Sequence, residues 1–107
     1  MPTVQERIRA EIDSHPIVLF MKGSAEYPMC GFSSRAVRAL RESGADPLHI
    51  VNVLEDPELR ANLPRFSDWP TFPQLFVRGE LIGGCDIVVE LAESGALARI
   101  LTSARKP

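Results

Sequence analysis

Only two of the 107 residues are cysteine, Cys30 and Cys85. That is too few for the disulfide framework of a small secreted domain, and it fits a reducing compartment in which both are thiols available for chemistry. Charge of one sign is also lacking: 12 Lys and Arg stand against 14 Asp and Glu, a formal net charge of -2. With no basic field, nucleic acid and anionic membrane surfaces are set aside as partners. No apolar run approaches the ~20 residues of a membrane-spanning helix. The start, Met1-Pro2-Thr3-Val4-Gln5-Glu6-Arg7, has neither a basic-then-apolar signal pattern nor an Arg-rich, acid-poor one, so the cytoplasm is the expected location. There is no internal repeat, low-complexity tract or long linker. Residues 1–107 are therefore expected to form one domain, and a hydrophobic content of 45% is enough for a core without staples or metals.

One further absence bears on chemistry. Met29-Cys30-Gly31-Phe32-Ser33 carries a hydroxyl where a Cys-x-x-Cys motif has its second thiol. In that motif the first sulfur attacks a disulfide and the second resolves the mixed disulfide that forms. Ser33 cannot resolve it, so a thiol captured by Cys30 must go to an external partner, or Cys30 serves as a ligand.

What is present reads as alternating helices and strands. Val4, Ile8 and Ile12 recur at helical spacing, which predicts an amphipathic helix over Thr3 to Ser14 with Thr3 as N-cap. Ile17 to Met21 is apolar on both alternating faces and predicts a strand covered on two sides. After a loop from Ser24 to Met29, Ala36, Val37 and Leu40 predict a helix over Ser33 to Glu42. Leu48 to Val53 predicts a second strand, and Asp56-Pro57 a cap and first turn for a helix reaching about Phe66. Gln74 to Val77 and Glu80 to Ile82 flank Arg78-Gly79, which predicts an antiparallel hairpin. Asp86 is expected to cap a helix over Ile87 to Glu93, followed by a last helix over Ala96 to Ala104. The order predicts an α/β fold with a mixed four-stranded sheet flanked by helices.

Cys30 falls at the mouth of a predicted helix, where unpaired backbone N–H groups and the positive end of the helix dipole favour thiolate over thiol. Lys22, at the end of the preceding strand, adds a positive neighbour. The plain alternative is an inert, small apolar Cys30 and a solvated Lys22. The neighbours shift that balance. Lys22-Gly23-Ser24, Pro28-Met29-Cys30-Gly31-Phe32-Ser33-Ser34, Trp69-Pro70-Thr71-Phe72-Pro73-Gln74 and Gly83-Gly84-Cys85-Asp86 together resemble the monothiol glutaredoxins, the branch marked by Cys-Gly-Phe-Ser, over nearly the whole chain.

The resemblance implies a thioredoxin-like (glutaredoxin) fold, glutathione binding, and a [2Fe-2S] cluster bridging two subunits of a homodimer. A two-iron cluster takes four thiolates, which two copies of Cys30 and two glutathione sulfurs would supply. By the same resemblance Lys22 stands near the glutathione glycyl carboxylate and Arg60 reaches it. Phe72 presents its backbone to the peptide as an added strand before a cis Pro73, and Cys85-Asp86 at a helix start takes the γ-glutamyl end. Each has a simpler reading: Arg60 a helix-surface charge, Pro73 a strand terminator, Asp86 an N-cap, Cys85 a small packed residue. Whether Cys30 and Cys85 form a disulfide stays open, since that needs a Cα separation below about 7 Å.

Phe32 is expected to shield the sulfur, and Trp69-Pro70 to fix the loop before the cis turn. His15 and His49 show no metal spacing with either cysteine and are expected to be structural. Two functions follow. One is a carrier that holds a labile cluster and passes it to iron–sulfur acceptor proteins, with BolA-like proteins as implied partners. The other is a glutathione-dependent oxidoreductase in which Cys30 removes glutathione from mixed disulfides and a second glutathione regenerates it. The long segment Gly23-Ser24-Ala25-Glu26-Tyr27-Pro28 favours the first, because the resemblance implies that it repositions glutathione away from thiol exchange.

Overall fold

A capping box opens the chain: Thr3 Oγ1 accepts the Glu6 amide at 3.1 Å, and the Glu6 carboxylate accepts the Thr3 amide at 3.3 Å. Such a cap is worth about 1 kcal/mol and fixes the start of α1 (Val4–Ser14). A computed structural model describes residues 2–105. Every residue of β1 (Ile17–Met21) is buried, and its period-two alternation divides the core between the two faces of the sheet. Ile17, Leu19 and Met21 pack with Val37 and Leu40 of α2 (Gly31–Glu42), Val88 of α4 (Cys85–Ser94), and Leu97 and Leu101 of α5 (Ala96–Arg105). Val18 and Phe20 face the other way, onto Ile8 and Ile12 of α1 and Leu59 and Leu63 of α3 (Pro57–Ser67). The continuous apolar run at Ile17–Met21 is thus the signature of a strand with helices on both sides.

The sheet adds β2 (His49–Asn52), β3 (Gln74–Val77) and β4 (Glu80–Gly83) in the order β2-β1-β3-β4. β1 runs parallel to β2 and antiparallel to β3, and β3 antiparallel to β4. Phe20 and Phe76 meet edge to face across β1 and β3, with centroids 5.6 Å apart. The hairpin turns through Arg78 and Gly79, both at positive φ (51° and 82°), as a two-residue turn matched to sheet twist requires. No helix among the described residues is long and apolar enough to cross a membrane.

Several boundaries differ from the sequence expectation by a residue or two, and three of them have a visible cause. α2 begins at Gly31 rather than Ser33, because Cys30 itself is the N-cap. β2 stops at Asn52, whose side chain accepts the Leu54 amide at 3.0 Å and winds Val53–Glu55 into a 3-10 turn. At α4 the cap is Gly84, whose carbonyl accepts the Val88 amide at 3.0 Å. Asp86, expected as the cap, is the second helical residue and makes no capping bond. The Phe72–Pro73 bond is cis, as expected, and so is Asp46–Pro47.

Candidate functional site

β1 ends at Met21 and delivers Lys22 to one end of the sheet. Because β3 runs antiparallel, with Phe20 opposite Gln74, the turn Trp69–Pro73 that precedes it arrives at the same end. The Gly84–Asp86 start of α4 follows β4 there as well. Lys22, Cys30, Phe32, Arg60, Trp69, Phe72, Cys85 and Asp86 all line one cleft of about 760 Å³. Every site residue singled out from the sequence therefore borders a single space, although the chain separates Lys22 from Asp86 by most of its length.

Cys30 is the N-cap of α2, and its Sγ accepts the Ser33 amide at 3.4 Å. The Ser33 hydroxyl lies 3.5 Å from the same sulfur and accepts the Lys22 amide at 3.2 Å. A hydroxyl has one proton to give, and with its oxygen engaged by Lys22 N–H that proton is available to a thiolate. Partial burial acts to raise the Cys30 pKa. It is outweighed by the Ser33 hydroxyl, the amides of Ser33 and Phe32 and the charge of Lys22, which together hold the thiol below its ordinary value. Ser33, read from sequence only as a missing thiol, is fully buried and is a positive element of the site. Its i,i+3 relation to Cys30 at a helix start is the signal that could have shown this.

Cys85 differs. It is the first residue of α4, only 6% exposed, and burial, with smaller contributions from Asp86 and Cys30, raises its pKa against the opposing pull of Arg35. Both cysteines are free thiols. Gly84 supplies no side-chain cap, so the first amides of α4 are open to an anion in the cleft. Lys22 and Arg60 form no ion pair among the described residues, since the ion pairs there involve Arg7, Arg9, Arg38 and His49. The cleft thus carries two unneutralised cations against one carboxylate, that of Asp86.

Two supports were invisible in the sequence. The Asn52 side-chain oxygen Oδ1 accepts the Gly23 amide at 2.9 Å, tying β2 to the loop before the cysteine. That loop folds on itself through Ser24 N–H to Tyr27 O at 3.2 Å and Met29 N–H to Lys22 O at 2.9 Å. Gly23, at φ +99°, leaves no room for a Cβ, which would stand 2.5 Å from both Met29 N and Tyr27 O. On the other wall, buried Gln74 donates to the carbonyls of Trp69 (2.9 Å) and Thr71 (3.2 Å) and holds the turn before the cis bond. Phe32, 58% exposed, lines the cleft beside Cys30, and Tyr27 and Met29 of the preceding loop are also exposed.

A lone low-pKa thiol heading the first helix after the central strand, opposite a cis-proline turn, defines a thioredoxin-like thiol protein. The glutaredoxin family profile matches residues 17–82. Over 101 residues, 94% of this chain and 87% of the other, the sequence is 48% identical to glutaredoxin 4 of Escherichia coli. It is 49% identical over 102 residues, 94% of this chain and 71% of the other, to the mitochondrial monothiol glutaredoxin-5 of Lachancea kluyveri. Among solved structures, a buckwheat glutaredoxin–glutathione complex superposes with a TM-score of 0.81 at 27% identity, covering 96% of each chain. The chain belongs to the monothiol glutaredoxin family.

Proposed function

We propose that two copies of this chain hold a [2Fe-2S] cluster between them through both Cys30 thiolates and the thiols of two glutathione molecules, and deliver it to iron–sulfur acceptor proteins. The observation that carries this reading is the make-up of the cleft: one thiol per chain, its pKa held down, beside Lys22 and Arg60, two cations without carboxylate partners. One thiolate is a quarter of what a two-iron cluster needs, and an anionic tripeptide is the kind of ligand that two cations and an open helix start attract. The glutathione complex of the buckwheat relative supports the same ligand here.

In this reading Lys22 and Arg60 take the glycyl carboxylate. The Phe72 backbone pairs with the peptide, and the α4 amides with Asp86 take the γ-glutamyl end while Cys85 packs beneath it. The exposed side chains of Tyr27, Met29 and Phe32 are where the second copy, or a BolA-like protein, would close over the cargo. Half the ligands are not covalently part of the protein, and that lability suits transfer. The same reading assigns the protein to the cytoplasm, where glutathione keeps thiols reduced. Direct thiol exchange ranks second: the lowered Cys30 pKa would serve it, but Ser33 offers no resolving thiol, and by resemblance to the family the long 23–28 segment repositions glutathione away from exchange.

Anaerobic loading with iron, sulfide and glutathione should give a coloured dimer with one cluster and two glutathiones, losing colour when glutathione is removed. A colourless monomer that rapidly deglutathionylates a model disulfide overturns the proposal.

A further inference from the structure

At the far end of the central strand from Cys30 lies a second group of ligating side chains that the cleft does not use. His15 caps the C-terminus of α1, Glu11 sits one turn earlier, and His49 opens the edge strand β2 opposite Val18. The two imidazoles stack with centroids 3.7 Å apart and planes 13° from parallel. Glu11 Oε2 lies 2.7 Å from His49 Nε2. One donor atom from each of the three side chains falls within 4.8 Å of the other two. The sequence hid this group, because Glu11 and His49 are 38 residues apart.

We propose that Glu11, His15 and His49 bind one borderline divalent transition-metal ion of the zinc class, fastening the end of α1 to the edge strand. In tetrahedral zinc sites metal–ligand bonds of ~2.0–2.1 Å put neighbouring donors about 3.3 Å apart. Glu11 and His49 are already closer than that, and the widest gap, under 4.8 Å, closes with a modest rotation of side chains that are partly exposed (40% for Glu11 and 34% for His49). A cavity of about 310 Å³ borders two of the three ligands, Glu11 and His15, and its other charged groups are occupied, Arg7 being paired with Asp56 and Glu58.

The donor set selects the metal class. Two imidazole nitrogens and one carboxylate suit zinc, cobalt, nickel or copper and disfavour calcium and magnesium, which take oxygen ligands. Three protein ligands leave one tetrahedral position for water. A surface Glu–His pair alone accounts for Glu11 and His49, worth at most about 1 kcal/mol; what it does not use is the third donor, His15, within 4.8 Å of both. Because an imidazole donates in its ring plane, the two stacked rings must tilt apart to converge on the ion.

The test separates this site from the thiols. In a Cys30→Ser, Cys85→Ser chain titrated with Zn²⁺ and Co²⁺, one ion should bind per chain and raise the melting midpoint. Cobalt should give visible d–d bands without the near-ultraviolet charge transfer of sulfur ligation. His15→Ala or His49→Ala should weaken binding by more than the roughly 10–100-fold that loss of an outer-shell partner costs, and Glu11→Gln should weaken it less. The unsubstituted chain gives a check that needs no variant: paramagnetic Co²⁺ should broaden the amide signals of residues 11, 15 and 49. No binding at about millimolar metal, affinity unchanged in both histidine variants, or broadening confined to the Cys30 cleft would each overturn the proposal.

Discussion

Two helices of this protein begin with a cysteine beside one cleft, and the two sulfurs have opposite chemistry. At α2 the sulfur is itself the cap, receives the Ser33 amide and hydroxyl, and has a lowered pKa. At α4 the sulfur is one residue further along, after Gly84, is nearly buried, and has a raised pKa. Proximity to a helix N-terminus is common to both, so the dipole alone does not decide reactivity. What decides it is whether hydrogen-bond donors aimed at the sulfur outweigh its burial: they do at Cys30, whereas at Cys85 burial outweighs the pull of Arg35. The proposed division of labour, in which Cys30 binds iron and Cys85 packs against glutathione, follows from that difference.

The largest expected effect tests the division directly. Cys30→Ser should abolish the visible chromophore of anaerobically loaded protein, whereas Cys85→Ser should reduce it by no more than several-fold. Equal losses would remove the distinction between the two helix starts. The fold should survive Cys30→Ser, because a partly exposed cap outside the core clusters adds little to core packing.

The second effect concerns pH. Cys30 should alkylate with a midpoint below the ordinary thiol value and Cys85 with one above it, so that at neutral pH Cys30 should react the faster of the two. The linked stabilities have opposite signs. The contribution of Cys30 is present above the unfolded thiol pKa and is lost as pH falls through the lowered folded value. That of Cys85 is present below the ordinary pKa and is lost as pH rises toward the raised one. Mass spectrometry of peptides alkylated across a pH series checks this, and coincident profiles would refute it.

Ser33→Ala sharpens the same comparison with a smaller effect. Removing the hydroxyl takes away a donor to the thiolate and the acceptor of Lys22 N–H. The Cys30 alkylation midpoint should move up, with the rate at neutral pH falling several-fold, and stability should drop by about 1 kcal/mol. An unmoved midpoint would leave the Ser33 amide and Lys22 as the whole cause.

Local motifs made most of this site legible in sequence. Cys30, Lys22, Pro73 and Cys85-Asp86 each sit at an element boundary that turn and cap chemistry marks, and the element order sets those boundaries at one end of the sheet. The all-apolar run Ile17–Met21 announced a central strand for the same reason, since nothing but coverage on both faces explains it. What stayed hidden depends on side chains from distant segments meeting: Asn52 bracing Gly23, Gln74 bracing Trp69 and Thr71, and His15 stacking on His49. The cap of α4 was misread because Asp is the commoner capping residue, while the backbone at Gly84 is already extended (φ -98°, ψ -162°) and its carbonyl takes the first helical bond.

The smallest effect distinguishes the two helix starts by space alone. A Cβ added at Gly31 meets nothing within 4 Å, and Gly31 is the first residue of α2, so Gly31→Ala should leave stability unchanged or raise it by a few tenths of a kcal/mol through helix propensity. A Cβ added at Gly84 stands 3.1 Å from Trp69 Nε1 and 3.3 Å from the Pro73 carbonyl oxygen, and alanine is a poor N-cap. Gly84→Ala should therefore cost about 1 kcal/mol and displace the Trp69 wall of the cleft. Denaturant midpoints of the two variants measure the difference. If Gly31→Ala proved the more damaging, the open space at the start of α2 and the tight packing of Gly84 against Trp69 would both be refuted.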